Sequence, residues 1–342
     1  MERSILDDFV RFQGEYPLQK VHLPRTALEW SYYQAGPSPG RCGGCDDDTV
    51  VMLHGTSGAA NAFFYQVASL AARGYRVMSA QYPAHNTPEE WCKGFDLFLD
   101  ALECRSAHLL GAGLGALLAQ IFASKYPRRV RSLMLCNGFA STEIFSTKMG
   151  YLASLVHVTP TPLLRKIMLD GFPESGFDLP MKQAIDWMAN QVNELSGDDL
   201  AARISLTCTL CRVGELHIAG HVTLLESSGE TMIPEELRLE LRRRYSGGRF
   251  AQLKARGDFP YLSASEEFNL FIEVHLRGMG CFGNRGCEVA PSPDQESPPL
   301  EASRWNDEPR SGYEEPQVRG LPAAPRNPFA ERNPFAEDDD FL

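Results

Sequence analysis

Apolar residues along this chain of 342 residues fall into two alternating patterns. Six short runs are mostly apolar: TVVMLHG (49–55), YRVMSAQYP (75–83), SAHLLG (106–111), VRSLMLCN (130–137), HVTLLES (221–227) and RFAQLK (249–254). They predict strands buried on both faces, because a strand with one wet face would alternate apolar and polar positions. Between them, 88–102 and 114–126 carry apolar residues at helical spacing, the second closed by Pro127. From Thr49 to about Arg277 this alternation predicts an α/β fold with a mostly parallel central sheet and helices on both faces. Strand-like periodicity fades between Phe139 and Gly220, where 181–195 and 198–206 read as helices. That stretch, about 139–220, is expected to be a helical lid inserted over the sheet.

After Gly280 the pattern stops. Ten of the 23 prolines lie in the last 60 residues, and 13 acidic against 6 basic side chains there hold −7 of the formal charge of −11. Such a stretch buries too little apolar surface to offset the entropy of ordering it, so the expected division is a domain over 1–281 and a disordered acidic, proline-rich tail over 282–342. The charge balance argues against nucleic acid as a partner. The N-terminus MERSILDDFVRF is acidic where a secretory signal would be apolar, and no run reaches the ~18 apolar residues of a membrane span; a cytosolic protein is expected. The nine cysteines are odd in number and several sit in strand-like runs, which suits reduced thiols. Two Cys-x-x-Cys pairs, Cys42/Cys45 and Cys208/Cys211, lie too far apart in sequence to favour a shared zinc site, and no metal is expected.

The candidate chemistry sits after the run 106–111. Gly111, Gly113 and Gly115 occupy the marked positions of a G-x-S-x-G nucleophile elbow, a strained strand-to-helix turn that lifts a serine above a sheet. Gly113 stands where that serine would be. His54-Gly55-Thr56 has the form of an oxyanion-side loop, and Leu114 supplies the backbone N–H that follows the elbow position. The general base of a hydrolytic triad belongs in a G-H-x-P-like loop after the last core strand; here the loop reads Gly257-Asp258-Phe259-Pro260. A carboxylate of ordinary pKa is a poor base for a hydroxyl. Glu226 and Glu230 are the candidates for the acidic position, with no histidine to orient. Three readings stay open: a tight turn over a filled pocket, a retained small-ligand pocket, or a rebuilt site using Cys136 or His54 as nucleophile. An open apolar cavity beside Gly113 would favour a ligand, and a collapsed one a scaffold. Half of a dinucleotide fingerprint is present in Gly-Ala-Gly-Leu-Gly-Ala, but the next strand ends at Asn137 rather than an acid, so no cofactor is expected.

The order and spacing of several motifs resemble one family: YYQAGP (32–37), GYRVMSAQYP (74–83), LLGAGLGALLAQIFA (109–123), SLMLCNGF (132–139), AIDWM (184–188), LAARISL (200–206) and AQLKARGDFPYL (251–262). The chain is similar to the maspardin family of α/β-hydrolase-fold proteins over roughly 9–277. The resemblance implies an α/β-hydrolase fold without catalysis, a scaffold or adaptor role in endosomal and Golgi membrane trafficking and receptor sorting, and peripheral recruitment to those membranes through partners. In vertebrate members it implies binding of a T-cell co-receptor's cytoplasmic tail and negative regulation of its signalling. An esterase or lipase-like enzyme with an unorthodox nucleophile is the competing expectation.

The last residues, RNPFAERNPFAEDDDFL, repeat one hexapeptide. Asn-Pro presets a tight turn that presents the following phenylalanine. Asn327-Pro328-Phe329 and Asn333-Pro334-Phe335 resemble ligands of EH domains, and two copies in one tail would raise avidity against a paired receptor.

Overall fold

The computed structural model describes residues 4–24, 26–37, 49–173 and 178–283. Cys42, Cys45 and the Asn-Pro-Phe repeats lie outside them. Strands β1 (Gln19–His22), β2 (Glu29–Ala35), β3 (Thr49–Leu53), β4 (Arg76–Gln81), β5 (Ala107–Ala112), β6 (Val130–Cys136), β7 (Val222–Ser228) and β8 (Arg249–Arg256) form a single sheet in the order β1-β2-β4-β3-β5-β6-β7-β8. β2 runs antiparallel to both β1 and β4, and every pairing from β4 to β8 is parallel. All six expected strands are present, but only five are buried nearly throughout; β8 closes the sheet as an edge strand with a single buried residue, Leu253, so the expectation of burial on both faces is corrected there. The β1–β2 hairpin was not expected: β1 is a four-residue, largely exposed edge strand with no apolar run.

Helices α1 (Ile5–Glu15), α2 (Phe64–Ala71), α3 (Pro88–Ala101), α4 (Leu114–Lys125), α5 (Glu143–Leu155), α6 (Thr161–Leu169), α7 (Leu179–Glu194), α8 (Gly197–Cys208), α9 (Glu235–Arg244), α10 (Pro260–Ser263) and α11 (Ser265–Gly278) complete the fold. Successive strand residues point to opposite faces, so β3 feeds two cores. Val51 and Leu53 join one that holds Trp91 and Phe95 of α3 and Leu117 of α4. Val50 and Met52 join the other, with Phe9 of α1, Val67 of α2 and Ile272 of α11. Between β6 and β7 the chain makes α5 to α8, which share a small core of their own around Val156, Leu164, Val192 and Leu200. α8 begins at a clear start signal: Ser196 caps its N-terminus by accepting a hydrogen bond from the Asp199 N–H at 3.1 Å.

Candidate functional site

β5 passes into α4 through Gly113, which has φ 52° and ψ −115°. L-residues avoid that region, and nothing else in the turn relieves it. The flanking glycines serve a different need. A Cβ on Gly111 would lie 2.4 Å from the Gly115 carbonyl oxygen, and one on Gly115 would lie 2.1 Å from that of Leu53. Only glycine lets α4 press this closely on β5 and β3. At Gly113 the nearest atom to an added Cβ is the Gly55 Cα, at 3.9 Å, so the apex faces open space. The elbow is complete in shape and carries no nucleophile at its apex.

That space opens into a cavity of about 220 Å³. Gly55, Thr56, Gly113 and Leu114 form its polar floor, and the first N–H groups of α4 have no intrahelical partner there. The roof is apolar, from Met149 of α5, Met168 of α6 and Ile204 of α8 among others. The cavity is open, which among the three readings favours a retained ligand pocket over a filled one.

Asp258 lines the same cavity and is 9% exposed. Both its carboxylate oxygens accept from the Met232 N–H, at 2.9 and 3.0 Å, so the loop after β8 is tied to the loop after β7. Burial pushes its pKa up to about 6, against the opposing pull of the Met232 N–H and of Arg238. The expectation of a carboxylate with an ordinary pKa is therefore corrected: the side chain gives up most of its hydration on folding. Asn137, at φ 42°, braces this loop pair. Its Nδ2 donates to Ser227 Oγ (3.1 Å) and to the Gly257 carbonyl (3.3 Å), while its Oδ1 accepts from the Ser227 N–H (3.0 Å). Sequence reading treated Asn137 only as the missing acid of a dinucleotide site; its strand-end position was the available signal.

The structure corrects the two acidic candidates. Glu226 is buried on β7 and its carboxylate is held by Arg242, at 2.9 Å from Nε and 2.5 Å from Nη2. Glu230 is exposed, and neither residue lines the cavity. His54 is corrected as well. Its Nδ1–H donates to the Gly55 carbonyl at 2.8 Å, its ring stacks on Tyr82 at 4.3 Å, and it lies outside the cavity lining. Burial, with the Arg203 charge nearby, holds its pKa well below the usual histidine value. Cys136 is fully buried on β6, where burial raises its thiol pKa far out of the nucleophilic range, so it offers no rebuilt nucleophile. Cys208 is buried and Cys211 half-buried, both as free thiols.

Arg203 was missed, although a cation inside the apolar run LAARISL was a visible signal. It is 2% exposed on α8, and its Nη1 donates to the carbonyls of Thr56 (3.0 Å) and Gly58 (2.5 Å). The lid is thereby pinned to the floor loop.

The α/β hydrolase family model matches residues 50–269. The chain is 36% identical to maspardin of Danio rerio over 295 residues, covering 85% of this chain and 91% of that one. It is also 36% identical to human maspardin over 280 residues, covering 80% and 88% respectively. Among solved structures, a carboxylesterase of Nitrososphaera gargenis superposes with a TM-score of 0.61 at 14% identity, covering 77% of this chain and 99% of that one. An esterase of Thermogutta terrifontis gives 0.60 at 18%, covering 77% and 98%. At those identities the two enzymes speak for the fold alone. An elbow shaped for a nucleophile, a lidded cavity and homology along most of the chain converge: this protein belongs to the maspardin family of α/β-hydrolase-fold proteins.

Proposed function

We propose that this protein works by binding rather than by hydrolysis. The observation that carries the reading is the elbow itself, where full nucleophile-turn geometry surrounds a glycine. An oxyanion hole stabilises charge only after something attacks a carbonyl, and Gly113 has nothing to attack with. Losing the serine of such a triad removes about a million-fold in turnover, and the further loss of histidine adds little. The protein is then a silent scaffold of the cytosol, recruited peripherally to endosomal and Golgi-derived membranes in a sorting role, as the motif resemblance implies. Receptor cytoplasmic tails would engage the globular domain, and EH-domain proteins the Asn-Pro-Phe repeats. A fluorophosphonate probe tests the silent core directly: the unmodified chain should stay unlabelled, and robust labelling would falsify the reading. For the tail, recovery on immobilised EH domains should collapse in the Phe329→Ala, Phe335→Ala double variant; equal recovery removes those motifs from the proposal.

The open cavity favours a second, compatible role, a small apolar ligand held under the lid. Its volume exceeds the roughly 150 Å³ of an apolar cavity known to take up benzene. A medium-chain alcohol should raise the melting temperature of the native chain and leave Ile204→Trp, which fills the cavity from α8, unmoved. An equal response in both would place the ligand elsewhere.

A further inference from the structure

The outer face of the lid carries apolar surface that no core absorbs. Tyr151 (66% exposed), Leu155 (49%) and Val158 (78%) follow one another at helical spacing along α5 and the turn after it, and Leu163 (49%) is exposed on the next helix, α6. α5 has no fully buried residue, and α6 has one, Leu164. The inner faces of the same two helices roof the cavity.

Charge is segregated around this strip. Residues 144–169 include Lys148, Arg165 and Lys166 and no aspartate or glutamate, within a chain of net charge −11. Lys148 lies three residues before Tyr151 and Lys166 three after Leu163, so each exposed lysine shares a helix face with the apolar residue beside it. Glu143, the acid just ahead of this stretch, is paired with Arg212 at 2.5 Å. An apolar strip with a tyrosine among its members, flanked in sequence by exposed lysines, has the pattern of a segment that rests in a lipid headgroup layer.

We propose that α5 and α6 dock directly on an anionic membrane surface, with Tyr151, Leu155, Val158 and Leu163 entering the interface and Lys148 and Lys166 meeting the lipid headgroups. This goes beyond recruitment through protein partners and stands whether or not the cavity holds a ligand. The net charge of the whole chain opposes attraction to anionic lipid, so binding must come from this local segregation.

Co-sedimentation of the full chain with vesicles tests the proposal. The chain should pellet with phosphatidylcholine vesicles containing phosphatidylserine, stay in solution with pure phosphatidylcholine, and release at high salt. Lys148→Glu with Lys166→Glu should lower partitioning at least about tenfold. Leu155→Glu with Val158→Glu should do the same by removing the inserted surface. All four side chains are exposed, so both variants should melt with the native chain, and the lysine pair gives a readout even if the apolar pair were to fold poorly. Absence of binding to phosphatidylserine vesicles, or binding that neither variant weakens, overturns the proposal. So does a native dimer that Leu155→Glu with Val158→Glu converts to monomer, which would assign the strip to a second copy of the chain.

Discussion

Asp258 is maintained against its own solvation. Its folded-state pKa of about 6 stands above the ordinary 3.8, so the folded protein takes up a proton before the unfolded chain does as pH falls. The penalty for burying the charge is complete above pH 6 and disappears toward pH 3.8. The surroundings give limited relief: Arg238 is the nearby cation, and Cys136 and Tyr261 are buried close by with their pKa values raised. Asp258→Asn should raise the free energy of unfolding by about 2 kcal/mol at pH 8 and by almost nothing at pH 4, since two pKa units correspond to nearly 3 kcal/mol and the amide keeps one acceptor for Met232. Urea titrations at the two pH values check this. The glycines of the elbow make a second contrast. Gly113→Ser should fold, with a backbone penalty of roughly 1–2 kcal/mol from its positive φ, whereas Gly115→Ala places a methyl group against the Leu53 carbonyl and should destabilise by more than about 3 kcal/mol. Comparable melting temperatures for the two would mean that the tight approach of α4 is not what requires glycine. Gly113 and Asp258 were both legible as substituted positions because the turns around them keep their glycines and proline. The contacts that hold the Asp258 loop, from Asn137 Nδ2 to the Gly257 carbonyl and from the Met232 N–H to Asp258, were not legible, because they join residues 120 and 26 positions apart.

At the level of elements, legibility followed burial. The central strands are apolar on both faces, and their expected limits lie within two residues of the observed ones. Strand β1 and the outer lid helices α5 and α6 carry weaker patterns, since each is exposed along much of its length. The lid is nevertheless firmly attached. Arg203 reaches from α8 to the carbonyls of Thr56 and Gly58 and stands over the Tyr82 ring at 5.7 Å. Burial lowers its pKa, against the opposing attraction of Tyr82 and Asp199. Removing the guanidinium strands the buried Gly58 carbonyl and the part-buried Thr56 carbonyl, so Arg203→Ala should destabilise by about 3 kcal/mol. Hydrogen exchange should also quicken in residues 54–58 along with α8. Quickening confined to α8 would show that the floor loop does not depend on the lid.

Across the whole molecule, a buried chain of polar side chains ties the sheet to its last helix. Ser132 Oγ lies 2.6 Å from His108 Nδ1 and 2.7 Å from His275 Nε2, and His275 Nδ1 lies 2.7 Å from Thr223 Oγ1. β5, β6 and β7 are thereby joined to α11. Burial, with His108, Arg249 and His221 adding, pushes the His275 pKa down to about 3. The unfolded chain therefore takes up a proton on this residue from about pH 6.5 downward while the folded protein does not, and stability is lost across that window until pH 3. Asp258 shifts stability the opposite way between pH 6 and 3.8, so the isolating measurement compares the native chain with His275→Gln. Their difference in unfolding free energy should shrink by about 2–3 kcal/mol between pH 7 and 4.5. A constant difference would mean that His275 titrates equally in both states.

The elbow also bears on how such sequences evolve. Glycine at 111 and 115 answers to the contact of a helix with two strands, a requirement of the architecture that persists whether or not any bond is broken nearby. Purifying selection on folding alone is then enough to preserve the outline of a nucleophile motif after its chemistry has gone. Position 113, free of that constraint, can drift to and from serine by a single nucleotide change. Silent and active descendants of one ancestor can thus share an unaltered scaffold, and the spacing of the outer glycines dates the fold rather than the activity.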